Sequence, residues 1–253
     1  MRLWPARRCR KFIWGLKPMP EPMLEIAGLN AHYRDFQALY GVEMTVAAGE
    51  VLAIIGANGA GKTTLMRSIS GLMPNGTGQI RYKGQDISAL RADQVAALGI
   101  ALVPEGRQLF RSLSVEENLI IGGQIGRKGA WDLTAVFKLF PILKERRAVP
   151  ATSLSGGQQQ MVAIGRALMA NPDMILFDEI SLGLAPIIIK DIYAALPSII
   201  GEGMSAMIVE QDISKALAVS SRVYCLQEGR VSLEGASSTV SRSDISRAYF
   251  GIE

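Results

Sequence analysis

GEVLAIIGANGAGKTTLMRSISGL, residues 49–72, decides the fold. Its first half is an apolar run of the right length for one buried strand. Its second half reads as a helix stopped by Gly71 and Pro74. Between them, Gly56-Ala57-Asn58-Gly59-Ala60-Gly61-Lys62-Thr63 matches G-x-x-x-x-G-K-[ST] in the strand–loop–helix setting that a phosphate loop requires. The glycines let backbone N–H groups turn inward and approach phosphate oxygens with no Cβ in the way. The helix opening at Gly61–Lys62 aims the positive end of its dipole at the same place. Lys62 brings a full charge to the β- and γ-phosphates. Thr63, with Thr64 beside it in the cradle, offers a hydroxyl to Mg²⁺. Spacing and flanks together predict a nucleoside triphosphate site.

Such a site needs an acidic element for metal and water. Met174-Ile175-Leu176-Phe177-Asp178-Glu179 supplies four apolar residues and then two carboxylates at the C-terminal end of a strand, where ligands gather in open α/β sheets. Asp178 is expected to hold Mg²⁺ through water, and Glu179 to polarise the attacking water as general base. Adjacent carboxylates at a strand end also occur as solvated helix caps; the phosphate loop tips the reading toward catalysis.

The pattern extends in both directions. Residues 24–33 and 42–48 read as strands around a turn at Gly41, and residues 78–84 as another short strand. Residues 92–99 form a helix ahead of a strand at 100–104. Residues 106–170 look mostly helical, with Ser114 and Glu117 spaced as a capping box and Ser155 opening a long helix toward Asn171–Pro172. A helix from about Pro186, a strand over 204–210 and a helix over 213–221 follow. A hairpin over 222–235, turning at Glu228–Gly229, comes next. Strands alternating with helices predict a parallel α/β core.

Leu154-Ser155-Gly156-Gly157-Gln158 begins a helix 23 residues before Asp178. With the phosphate loop and the Asp–Glu pair, it resembles the signature motif of the ATP-binding-cassette (ABC) proteins. The resemblance covers residues 23–253. It implies an α/β P-loop NTPase fold: a RecA-like core with an antiparallel β-subdomain and a helical subdomain at about 106–170. It also implies that Ser155, Gly156, Gly157 and Gln158 meet the γ-phosphate of ATP held by a second cassette, so that the working unit is a dimer. Tyr33 falls where an aromatic ring stacks on adenine. Glu105 stands where the family usually has glutamine, adding a negative charge as a further metal or water ligand. Gln211 replaces the usual switch histidine; it can donate a hydrogen bond to a γ-phosphate but cannot titrate, which leaves Glu179 as the base. Leu184 replaces an aspartate, Arg34 the usual glycine after Tyr33, and Ile180 the usual proline. Ile180 is expected to loosen the backbone beside Glu179 by lifting proline's φ restriction.

VPEGRQLF, SLSVEENL, SLGLAP, VEQD and the terminal AYFGIE are similar to the LivF-type ATP-binding subunits of branched-chain amino-acid importers. That likeness implies a related ATPase as dimer partner, two transmembrane permease subunits, an extracytoplasmic solute-binding protein, and a peripheral position on the cytoplasmic face of the membrane. Glu105 and the helical subdomain would then form much of the docking surface. Importers of urea and short amides use similar cassettes; Glu105 inclines the reading toward amino acids.

Composition excludes other classes. The chain has 253 residues, 49% of them apolar, one histidine (His32) and two cysteines (Cys9 and Cys225), which rules out disorder, a His-rich metal centre and a disulfide scaffold. No apolar run reaches the roughly 20 residues of a membrane helix. The net charge of +4 comes from residues 1–22, which carry six cations and one acid; the rest holds 21 basic and 22 acidic side chains. A body net charge of −1 argues against nucleic-acid binding, and with it against a non-transport ABC ATPase of DNA repair or translation. The basic segment is expected to be a disordered or non-native extension ahead of a start at Met19 or Met23. The alternative is a membrane-surface contact through Trp4, Phe12 and Trp14.

Overall fold

The computed structural model describes residues 22–201 and 203–250, so the basic segment, Pro22 apart, lies outside the described residues. In chain order the first elements are β1 (Leu24–Tyr33), β2 (Phe36–Val46), β3 (Val51–Ile55), α1 (Lys62–Ile69), β4 (Ile80–Tyr82), β5 (Gln85–Asp86), α2 (Ala92–Ala97) and β6 (Ile100–Val103). A helical stretch follows: α3 (Val115–Gly122), α4 (Leu133–Leu139), α5 (Pro141–Glu145) and α6 (Gly156–Leu168). The chain then alternates through β7 (Met174–Asp178), α7 (Pro186–Ile200), β8 (Ser205–Val209), α8 (Ile213–Val219), β9 (Arg222–Gln227), β10 (Arg230–Ala236) and α9 (Arg242–Phe250).

Two sheets result. The smaller is antiparallel in the order β2-β1-β4-β5; the larger runs β10-β9-β3-β8-β7-β6, parallel except at β10. The central strands are apolar at nearly every position because both of their faces are covered. Alternation along β7 sends Met174 and Leu176 into a core shared with the antiparallel sheet and α1. Ile175 and Phe177 go into a second core under α6 and α7. On β3 the same alternation puts Leu52 and Ile54 in the first core and Ala53 and Ile55 against α8 and α9.

One turn differs from the sequence expectation. The β1–β2 turn lies at Arg34–Asp35, and Gly41 sits within β2 at φ +61°, where the pairing register shifts. A glycine at a bulge and a glycine at a turn meet the same conformational need, which is why the two were interchangeable in sequence. Arg34 takes the turn at φ +53°. A single carboxylate ties the parts together. Asp173 Oδ2 accepts from Lys83 Nζ (2.6 Å), beside the antiparallel sheet, and from Arg127 Nη2 (2.7 Å), in the helical stretch.

Candidate functional site

The phosphate loop is wedged between the two sheets. Gly56 sits at φ +155°, and a Cβ there would come 2.3 Å from the carbonyl oxygen of Leu226; at Gly61 (φ +100°) a Cβ would lie 2.6 Å from Leu39 Cδ2. Gly56 therefore has no room for a side chain, and at Gly61 one would be strained at that φ and would have to displace Leu39. Gly59 turns at φ +81°, Asn58 is exposed, and the Ala60 carbonyl accepts from Gly229 N at 3.0 Å in the β9–β10 turn. Among the described residues no side chain caps the N-terminus of α1, so its first N–H groups face the loop. Lys62, 4% exposed, donates to the carbonyls of Gly56 (2.7 Å) and Ala57 (3.0 Å) and lies 3.4 Å from Glu179 Oε1. Thr64 Oγ1 donates to the Tyr33 hydroxyl at 3.4 Å, and Tyr33 is 42% exposed beside the loop.

β8 separates β3, which delivers the loop, from β7, which delivers the carboxylates. Thr63 Oγ1 nonetheless reaches Asp178 Oδ1 at 3.4 Å. Asp178 is buried, and burial, with the Glu179 charge next, pushes its carboxyl up to about 6; the Thr63 hydrogen bond acts in the opposite direction. Glu179 takes φ +49°, its N–H donates to the Val209 carbonyl at 3.1 Å, and its Oε2 accepts from Gln211 Nε2 at 2.7 Å. Glu105 is exposed just beyond β6, close enough for its charge to raise Asp178. Against the expected loosening at Ile180 stands the packing of its side chain. Its side chain is 1% exposed and fills the core under α7, anchoring the chain immediately after Glu179.

Ser155 caps α6: its hydroxyl accepts from Gln158 N at 3.3 Å, and Gln158 Oε1 accepts from Ser155 N at 3.1 Å. Ser155 is exposed and Gly156 is half-buried beside Arg107 and Leu184. Gly157 has a packing role that its motif does not reveal. A Cβ there would come 2.2 Å from Ile188 Cγ2 of α7. The signature end and the phosphate loop are thus supported by different neighbours, Arg107 and α7 for one, β2 and the β9–β10 turn for the other.

A family model described as ABC transporter matches residues 39–181. The chain belongs to the ABC transporter ATPase family. The high-affinity branched-chain amino acid transport ATP-binding protein BraG of Pseudomonas aeruginosa is 41% identical over 232 residues, covering 90% of this chain and 100% of that protein. The lipopolysaccharide export system ATP-binding protein LptB of Escherichia coli is 33% identical, covering 90% of this chain and 97% of its own. Among solved structures, a dimeric ATP-binding cassette in a post-hydrolysis state, bound to ADP and Pi, superposes with a TM-score of 0.76 at 25% identity, covering 85% of this chain and 99% of that one. The cassette is the ATP-binding, ATP-hydrolysing subunit of an ABC transporter. Among the described residues no helix is long and apolar enough to cross a membrane.

Sequence reasoning passed over one part of this cassette's site. Glu210, next to Gln211, is 1% exposed; its Oε2 accepts from Ser181 Oγ (2.9 Å) and its Oε1 from Tyr193 OH (2.5 Å). In sequence it is only a lone acid at the end of an apolar run, with nothing to point to its two partners.

Proposed function

We propose that this cassette powers uptake of branched-chain amino acids from the cytoplasmic face of a membrane. On this reading it is paired with a related ATPase and docked on two permease subunits served by an extracytoplasmic binding protein. The observation that carries the cargo is the 41% identity to BraG across that protein's whole length, against 33% to the lipopolysaccharide-export cassette.

ATP lies with its adenine on Tyr33 and its phosphates among the amides of Gly56, Asn58, Gly59, Ala60, Gly61, Thr63 and Thr64. Lys62 exchanges its two loop carbonyls for phosphate oxygens. Thr63 Oγ1 and Asp178 Oδ1 lie 3.4 Å apart, and among the described residues there is no cluster of three His, Cys, Asp or Glu side chains that could hold a metal ion. That donor set fits Mg²⁺, which binds through few protein oxygens and keeps its waters and phosphate oxygens; Glu105 stands near as an outer ligand. Held by Thr63 and Asp178, Mg²⁺ would supply charge neutralisation to the phosphates. Glu179 accepts the proton of the attacking water as the water–Pγ bond forms and the bond to ADP breaks, while Gln211 orients the pair. The second cassette's signature residues, equivalent to Ser155, Gly156, Gly157 and Gln158 here, close on the γ-phosphate. The helical stretch at 106–170 faces the permease.

Uptake of labelled leucine, isoleucine, valine and urea in cells carrying Lys62→Ala tests the reading. Loss of the three amino acids supports it. Loss of urea uptake alone moves the cargo, and unchanged uptake with the complex expressed overturns the transport role. Glu179→Gln should trap ATP in the dimer; normal turnover would remove Glu179 as base.

A further inference from the structure

We propose that Glu210 and Tyr193 are positioning residues for hydrolysis: a buried carboxylate brace holds Gln211 and Glu179 in hydrogen-bond reach of each other. This rests on the reading of Glu179 and Gln211 given above. A polar side chain at 1% exposure is costly unless its oxygens find hydrogen-bond partners, and among the described residues no cation lies within ion-pair distance of Glu210. Its two donors, the hydroxyls of Ser181 and Tyr193, are therefore required, and they define where the carboxylate sits.

The carboxylate and its Ser181 donor belong to the two pieces of chain that must be kept in register. Ser181 lies two residues after Glu179, and Glu210 lies one residue before Gln211, so the same carboxylate clamps the loop of the base to the strand end of its partner. The Glu210 N–H donates to Ile54 O at 3.1 Å, fixing the clamp to β3 and hence to the phosphate loop. Such a clamp is needed because Glu179 holds φ +49°, a left-handed conformation that a non-glycine residue keeps only when its surroundings over-determine it. Tyr193 adds the third attachment, from α7. A space-filling role would be served by a leucine; two aimed hydroxyls on one buried carboxylate specify position.

The brace touches neither Lys62 nor the glycines, so losing it should spare ATP binding and slow turnover. In the full chain within its native membrane complex, Tyr193→Phe removes one donor while keeping the ring. Its kcat should fall about tenfold, as expected for a small misplacement of reacting groups, with the KM for ATP within about twofold. Ser181→Ala, in a half-buried loop, should show the same split. The Tyr193→Phe effect should disappear in a Gln211→Ala background, because a hydroxyl acting through Gln211 has nothing left to position. Wild-type kcat in both single variants, with Glu179→Gln inactive, overturns the brace alone. So does a Tyr193→Phe effect that simply adds to Gln211→Ala. Normal turnover by Glu179→Gln overturns the underlying assignment and the brace with it.

Discussion

Replacing Asp178 by asparagine should stabilise the ligand-free cassette while abolishing its turnover. Burial and the neighbouring Glu179 charge raise this carboxyl from the ordinary 3.8 to about 6. The folded chain therefore binds a proton over that interval more tightly than the unfolded chain does. Below the lower value both states carry the proton and no penalty arises. As pH rises through the interval, the unfolded state releases it first, and stability falls until both are ionised. At 1.36 kcal/mol per tenfold change in proton affinity, the penalty at neutral pH is about 3 kcal/mol. An amide at this position has no proton to lose and escapes the penalty. At pH 7.5 the Asp178→Asn chain should therefore melt about 6–12 °C higher, with the gap closing toward pH 4. The assay is thermal unfolding followed by circular dichroism from pH 4 to 8, with EDTA and without nucleotide. A variant no more stable than its parent at pH 7.5, or a gap that does not shrink in acid, would refute burial as the source of the displaced titration.

Gly157→Ala places a methyl 2.2 Å from Ile188 Cγ2 and should cost about 1–3 kcal/mol in urea unfolding, with Ile188→Ala restoring part of the loss. Arg34→Gly relieves a non-glycine residue at φ +53° and should raise stability by about 0.5–1 kcal/mol in the same assay. Lys62→Ala leaves Glu179 without its 3.4 Å cationic neighbour and should weaken binding of a fluorescent ATP analogue at least tenfold; unchanged affinity would mean that the loop amides alone hold the phosphates.

The parts of the fold that could be read in advance are those where one residue type has one physical use. An apolar run closed by G-x-x-x-x-G-K-T, or by Asp178-Glu179, suits little else than a buried strand feeding a site, and β3, α1 and β7 lie where those runs placed them. Gly41 was ambiguous because a positive φ serves a bulge as well as a turn. At Ile180 the sequence showed the lost φ restriction of proline but not the core into which the side chain goes. Gly157 reads as part of an anion-binding helix start, and only the packing of α7 shows that it is also a contact point between helices. Glu210 could not be assigned at all. Its two hydroxyl partners lie 29 and 17 residues away in sequence, and a lone acid after a strand gives no hint of them.

The placement of β8 between β3 and β7 makes the sheet itself a ruler for the chemistry. Strands repeat about every 4.8 Å, so β3, which feeds the phosphate loop, and β7, whose end presents the carboxylates, run about 9–10 Å apart under main-chain hydrogen bonds, and side chains such as Thr63 and Lys62 bridge the interval. Chemical variation is confined to what is mounted along the ruler's edge. A glutamine can stand at 211, or a glutamate at 105, without the gauge of the machine changing.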